Sequence, residues 1–414
     1  MAIHNFVSGR IENIEITKDK NNPNGNNIDE IYLSTQEKVL VFKVKKDYEM
    51  SIKIKVGDIV SIGFTISNED FYIEEIILLN QVKDSPISNP NALYTKLNKN
   101  NKKMVTTLKK RQNFFRESRN FFYNNDFIEL HTPTLLESPG VELYIEPFET
   151  HYYDFNDKSF SFFLPISPEF SLKGALGAGL EKVFEIAKVF RNRGENSNLH
   201  RPEFFMLEWY RAYSDYDVII DDCYNYIRYI ANTIYKKDEI AYYNSICSLK
   251  SLKKITVKEI FKEFDIDLDD YSQNERKFKT SIIDFYDKTG IKIPTDSEKD
   301  DLFFKFFLDN VESKLGFDFP TVVYEYPIEM CALSTPLSKN KLYGKRFELY
   351  LFGIELANGF GELTDPLKQE SNFKDIIQKR EKNKAIAELT LPQNFLRTLE
   401  FGLPPSSGVA LGLE

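Results

Sequence analysis

An α+β protein with a small all-β domain ahead of a larger mixed one is what this sequence predicts, on three observations. Its 414 residues suffice for two or three domains, short β-rich runs crowd residues 1–83, and the remainder alternates strand-like with long helical runs. Apolar residues make up 42% and charged residues 28% of the chain, close to the globular average, so it has the means to bury a core. The net charge of −9 argues against a general nucleic-acid coat or a polybasic membrane binder. Cys223, Cys247 and Cys331 are too scattered for a metal knuckle and too few for a disulfide framework. With no signal-like N-terminus and no apolar run long enough to span a bilayer, a cytoplasmic protein without membrane contact is expected.

The first five strands are expected at Phe6–Ile16, Ile31–Ser34, Val39–Lys45, Asp58–Ile66 and Phe71–Leu79, separated by turn-prone residues such as Asn22-Pro23-Asn24-Gly25. Five strands in so short a span predict a small barrel or sandwich over 1–83, an oligonucleotide-binding (OB) barrel being one candidate. Residues 1–85 hold ten Lys/Arg against fourteen Asp/Glu, which is weak support for RNA binding and leaves a packing or partner-docking role open. Residues 84–95, with Pro, Ser and Asn, read as a linker. From Lys96 to Arg119 nine basic residues face one acid, Glu117. Leu108, Phe115 and Phe122 recur every seven, with Met104 a turn earlier, so the segment is an amphipathic helix whose basic face is either simply solvated or a docking strip. Beyond it, strands are expected at Phe160–Ile166, Val322–Tyr326 and Phe347–Ala357, and helices at Leu172–Leu180, Tyr216–Tyr235 and Asp300–Lys314.

Four clusters could carry chemistry. In Phe190–Tyr210, Arg191, Arg193, Arg201 and His200 surround a Gly/Asn/Ser turn, followed by a run whose alternation puts Phe204, Met206, Glu208 and Tyr210 on one strand face. Arginine forks grip phosphate oxygens and a phenyl ring stacks on a purine; a surface hairpin with ordinary ion pairs is the plain alternative. In Gly353–Asp365, Glu355 and Glu362 are seven apart, on opposite faces of an unbroken strand. A bulge or turn at Gly359 or Gly361 would let them converge on magnesium, which takes one or two carboxylates plus substrate phosphates; two solvated acids are the alternative. In Leu164–Phe170, Ser167 and Glu169 flank Pro168, where helix capping is explanation enough. In Ser406–Glu414, Gly408 and Gly412 punctuate a strand that either admits a ligand or simply fills the core.

Taken in order, these clusters resemble the three signature motifs of class II aminoacyl-tRNA synthetases. Pro133, in Asp126–Leu135, is similar to the motif 1 proline of the family's dimer interface; FRNRGENSNLHRPEF resembles motif 2, and GVALGLE the start of motif 3. The strings SPE (Ser167–Glu169), RFEL (Arg346–Leu349) and ELANGFGEL (Glu355–Leu363) resemble the lysine branch. PEFFMLEWYRAYSDYD and GIELANGFGELTDP are closer to its elongation factor P lysine ligase paralogues. The resemblance covers roughly 92–414. It implies an antiparallel sheet flanked by helices over 96–414, a homodimer, and ATP and Mg2+ as cosubstrate and cofactor.

By position, the resemblance gives Arg191 the α-phosphate, Phe204 the adenine, and Asn192 with His200 a hold on ATP. Arg193, Glu195 and Arg201 join the ATP set, Leu356 and Gly412 shape the nucleotide pocket, and Glu355 and Glu362 bind magnesium, with Glu362 also near the substrate amine. Ser167, Pro168, Glu169, Glu208 and Tyr210 form a pocket suited to lysine or (R)-β-lysine. The implied chemistry is attack of the substrate carboxylate on the ATP α-phosphorus to give an aminoacyl-adenylate. Transfer follows to a lysine side chain of elongation factor P, or to tRNA in a lysyl-tRNA synthetase; a non-catalytic synthetase-like binding module is a third reading. Three departures stand out. Arg193 takes the place of the family's FR-x-E acid, leaving Glu195 as the nearest one, and Arg201 stands where asparagine is usual. The family's motif 3 continues into an adenine-covering arginine, so the 96–414 domain is expected to be cut off within motif 3 at Glu414. The N-terminal barrel, whose GRI start and Val56–Gly63 run are similar to those of lysyl, aspartyl and asparaginyl synthetases, is absent from the best-known ligases of this kind.

Overall fold

The structure, a computed structural model, describes residues 5–18, 26–35, 38–45, 48, 52–82, 101–194, 200–294, 296–382 and 387–413. The chain divides into two compact units, Met1–Gln112 and Asn113–Glu414. The expected linker, the Asn22–Gly25 turn and Glu195 fall outside the described residues.

In the first unit, β1 (Asn5–Lys18), β2 (Asn26–Ser34), β3 (Val39–Lys43), β4 (Ile59–Ser67) and β5 (Asp70–Asn80) close into an OB-like barrel of order β1-β2-β3-β5-β4. Alternate residues on each strand point inward, so Ile11, Ile31, Leu33, Phe42, Val60, Ile62 and Ile73 fill the lumen. Between β4 and β5, Asn68 and Glu69 both take positive φ, the conformation of a two-residue hairpin turn. Buried Asp58 accepts from the backbone N–H of Lys55 and of Val82, each at 2.9 Å, and so pins the barrel's end.

Helix α1 (Asn101–Tyr123) bears out the amphipathic reading only in its second half. Phe114, Phe115, Phe121 and Phe122 pack into a core, whereas Leu108 is 49% exposed and does not continue the apolar stripe. The lone acid Glu117 is buried and accepts from Arg116, Asn120 and Tyr229.

The remaining strands of the second unit are β6 (Ile128–Glu129), the hairpin β7 (Glu149–Tyr153) and β8 (Ser159–Phe163), β9 (Lys182–Phe190), β10 (Glu203–Ala212), the hairpin β11 (Glu239–Tyr242) and β12 (Ser245–Ser248), β13 (Lys253–Thr256), β14 (Thr321–Tyr324), β15 (Arg346–Leu351), β16 (Ile354–Gly361) and β17 (Ser406–Gly412). Eight of them form one sheet, β13-β14-β15-β16-β17-β10-β9-β6, antiparallel except for the outer pairs β13/β14 and β6/β9. The single strand expected over Phe347–Ala357 is a tight hairpin: Phe352 and Gly353 both take positive φ and split it into β15 and β16. Along with α1, the helices used below are α2 (Glu169–Gly177), α3 (Tyr216–Ile230), α4 (Pro366–Lys382) and α5 (Gln393–Gly402). One sheet face, with Leu207, Trp209, Val409, Leu411 and Leu349, is buried against α1 and α3. The opposite face carries the polar residues.

Candidate active site

Strand pairing lines these polar residues up. Glu208 on β10 stands opposite Glu185 on one side and Ala410 on the other; Ala410 faces Asn358, and Asn358 faces Glu348. The neighbouring row runs Tyr210, Gly408, Phe360, Arg346. Glycine is required in that row, because a Cβ at Gly408 would stand 2.1 Å from the Tyr210 ring. As the alternation predicted, Phe204, Met206, Glu208 and Tyr210 share this face, Phe204 and Met206 packing with Ala187, Val189 and Ala410.

Helix α2 brings the next residues over the sheet. Ser167 Oγ accepts from the Glu169 N–H at 3.1 Å, and buried Pro168 stands at the N-cap, so the helix starts where the sequence placed it. Phe170 stacks on Phe395 of α5, ring centres 4.1 Å apart, which fixes the helix. One turn on, Lys173 is 1% exposed; its ammonium pairs with Glu169 and lies 2.5 Å from Glu362 Oε2. Burial alone would lower this ammonium, but Glu169 and Glu362 together raise it above its ordinary range. Glu208 Oε1 accepts from Tyr210 at 2.6 Å. Glu208 Oε2 and Glu362 Oε1, both buried, have no hydrogen-bond partner among the described residues. Two buried carboxylate oxygens aimed at nothing are costly unless a donor arrives.

Arg191 follows β9. Its N–H donates to the Pro202 carbonyl at 3.0 Å and its guanidinium lies 5.3 Å from the centre of the Phe204 ring, so the expected phosphate and adenine residues are neighbours. Its buried Nε has no hydrogen-bond partner among the described residues. Desolvation lowers the guanidinium, opposed by Glu142, Glu355 and Glu208. Asn192 bridges Glu146, and its side chain accepts from the N–H of Arg193, which is exposed with positive φ. His200, Arg201 and Gly412 are exposed, Gly412 pairing with Met206.

The acidic pair differs from expectation. The bulge lies at Leu356, the extra residue between the pairs Leu349/Ala357 and Tyr350/Glu355, not at Gly359 or Gly361. Glu355 is water-accessible at the wall of the site, and its carboxyl is pushed up to about 8 by desolvation and then by Glu348. Glu348 itself accepts from Tyr326, Tyr350 and Arg346. Glu362 instead answers to burial, Lys173 and Glu169, and rises to about 8. The structure thus couples Glu355 to Glu348 and Glu362 to Lys173, rather than Glu355 to Glu362. Leu356, expected at the nucleotide, turns its side chain to the opposite core with α3.

Besides Glu348, four residues escaped sequence reasoning. Lys173 is an i,i+4 partner of Glu169, a pattern usually found on solvated helix faces. Asn358 lies inside the recognised ELANGF string, and its buried Oδ1 has no hydrogen-bond partner among the described residues. Glu142, pushed up to about 7 by burial and by Glu169, sits among Arg346, Arg191 and Lys173. Arg380 of α4 donates to the carbonyls of Glu142 and Ile145, at 2.7 and 2.9 Å, and to Glu146 Oε2 at 2.9 Å, which fixes the loop bearing Glu142.

These raised carboxyls dictate a pH dependence. Glu142 and Glu362 hold protons when folded that they shed when unfolded at neutral pH. Their stabilisation is complete below pH ~4.5 and is lost as pH rises through 7 to 8. The unliganded protein is therefore expected to melt several degrees lower at pH 9 than at pH 6, read by scanning calorimetry. A cationic ligand that displaces one of these protons is expected to bind up to about tenfold more tightly per pH unit between 6 and 8. The same binding releases protons, measurable by titration calorimetry in buffers of different ionisation enthalpy.

Residues 90–414 match the family described as tRNA synthetases class II (D, K and N), and the chain belongs to that family. A lysine–tRNA ligase of Wigglesworthia glossinidia brevipalpis is 34% identical over 317 residues, covering 76% of this chain and 62% of its own length. One from Staphylococcus saprophyticus is 32% identical, covering 76% and 61%. An elongation factor P–(R)-β-lysine ligase of Hamiltonella defensa is 30% identical over 318 residues, covering 75% of this chain and 89% of its own length. The chain spans about 60% of the length of the first lysine–tRNA ligases it matches. Among the described residues, no helix is long and apolar enough to cross a membrane.

Proposed function

We propose that this protein uses ATP to activate lysine or (R)-β-lysine as an aminoacyl-adenylate and passes it to a lysine side chain of elongation factor P. The observation that carries the reading is the pair of orphaned oxygens, Glu208 Oε2 and Glu362 Oε1, in a pocket of three acids and one lysine. An ammonium is the donor such oxygens require. Arg191 holds the α-phosphate at the other end of the site, Phe204 supports the adenine, and Asn192 with His200 helps hold ATP. Asn358, midway between the acids, orients the substrate carboxylate. An oxygen of that carboxylate then attacks the α-phosphorus, the bond to the β-phosphate oxygen breaks, and pyrophosphate leaves.

Glu355 and Glu348, an acidic pair with one member open to water, would hold a magnesium ion. Such an ion supplies neutralisation of triphosphate charge. Positioning is the pocket's main contribution, an effect worth up to about 7 to 11 kcal/mol. In the second step the acceptor amine attacks the activated carbonyl and AMP leaves with the bonding pair. Exposed Ile128, Pro133 and Leu135 offer the apolar strip for a homodimer.

Charging of tRNA is the second reading, favoured by the OB-like barrel and by the higher identity to lysine–tRNA ligases. The acidic balance of residues 1–85 weighs against anticodon RNA. Both readings are tested by supplying the full-length protein with ATP and labelled lysine or (R)-β-lysine, together with tRNA or elongation factor P. Label is expected on the factor; label on tRNA and never on the factor would overturn the first reading.

A further inference from the structure

Lys173 has no place in the chemistry just described, yet it is among the most deeply buried charges in the second unit, 1% exposed. Its ammonium joins two acids from different elements, Glu169 of α2 and Glu362 just past β16. Among the described residues it is the only cation paired with either. Aromatic rings close it in, with the centres of Tyr210 and Phe395 at 5.7 and 5.8 Å. A lysine needed only to fill space in such surroundings would be replaceable by methionine without loss.

Glu169, Glu208 and Glu362 bring three negative charges to the subsite when ionised, and Lys173 removes one. The remaining two match a substrate with two ammonium groups. We propose that Lys173 is a positioning residue and a built-in counter-cation: fixed between Glu169 and Glu362, it trims the subsite's charge and aims Glu362 Oε1 and Glu208 Oε2 at a diammonium substrate. The inference deepens the lysine-activation reading and rests on it for its functional part. Glu362 meets the Lys173 ammonium through its Oε2, while its buried Oε1 has no hydrogen-bond partner among the described residues.

The test has two independent readouts. In thermal melting, Lys173→Ala is expected to melt below the unaltered protein and to be raised again by ethylammonium chloride. Sodium chloride and ethanol should not raise it, and the unaltered protein should not respond to the amine. In lysine-dependent pyrophosphate exchange, Lys173→Met is expected to lose about 100-fold in kcat/KM, chiefly through the KM for lysine, with the KM for ATP little changed. Ethylammonium is expected to restore part of the exchange of Lys173→Ala. Wild-type exchange kinetics in Lys173→Met, or an alanine variant indifferent to ethylammonium in melting, overturns the proposal. If the unaltered protein itself shows no lysine-dependent exchange, the activation reading falls and the melting comparison alone decides whether Lys173 is a counter-cation.

Discussion

Glu355→Gln is expected to reduce lysine-dependent pyrophosphate exchange by about 1,000-fold or more, equivalent to roughly 4 kcal/mol of transition-state stabilisation. Glutamine keeps the shape of the side chain and removes its charge, so any loss reports on charge. The bulge at Leu356 turns Glu355 toward Glu348 at the wall of the site, where the carboxyl is raised to about 8. Two acids held so close want a cation, and the variant keeps only one of them. The fold should not suffer. Replacing a raised carboxyl by a neutral amide relieves its repulsion from Glu348, so the unliganded variant is expected to melt no lower than the wild type at pH 8. Normal exchange with magnesium would show that Glu355 holds no metal, and a collapsed melting transition would show that its role is structural.

The second large effect is expected at Arg191. Arg191→Ala should lower exchange by about 100- to 1,000-fold, mostly in kcat, because removing one preorganised charge at a developing anion typically costs that much. Arg191→Lys should recover little, since an ammonium cannot reproduce a fork that grips two phosphate oxygens. The structure already holds the guanidinium 5.3 Å from the Phe204 ring, against desolvation and with three acids behind it. Such a group is placed before ATP arrives. An Arg191→Ala protein with an unchanged kcat and a raised KM for ATP would reduce its role to ground-state binding.

Period and punctuation made much of this legible from sequence. Alternation placed Phe204, Met206, Glu208 and Tyr210 on one face, and Ser167-Pro168-Glu169 marked a helix start. Five β-rich runs separated by turns gave the barrel. What stayed hidden was everything set by lateral pairing. The sequence offers no sign that Asn358 and Glu208 share a row through Ala410, or that Glu348 lies beside Glu355, because both depend on sheet order and on a one-residue bulge. Gly359 and Gly361 looked like the bulge because glycine often marks one, but the register shifts at Leu356, next to the tight turn at Phe352-Gly353. Lys173 was invisible for another reason: four residues after a glutamate on a helix, it has the signature of a solvated pair, and only burial reveals otherwise.

The sheet's order has a consequence for the chain as it is made. Strand β17 lies between β10 and β16, both of which precede it, β16 ending at Gly361 and β17 beginning at Ser406. While a ribosome adds the intervening stretch, at roughly 5 to 20 residues per second, those two strands wait with facing edges unsatisfied for about 2 to 9 seconds. Bare edges of that kind recruit foreign strands. Newborn copies thus carry two open edges in this interval, an aggregation hazard that ends when the middle of the sheet is filled.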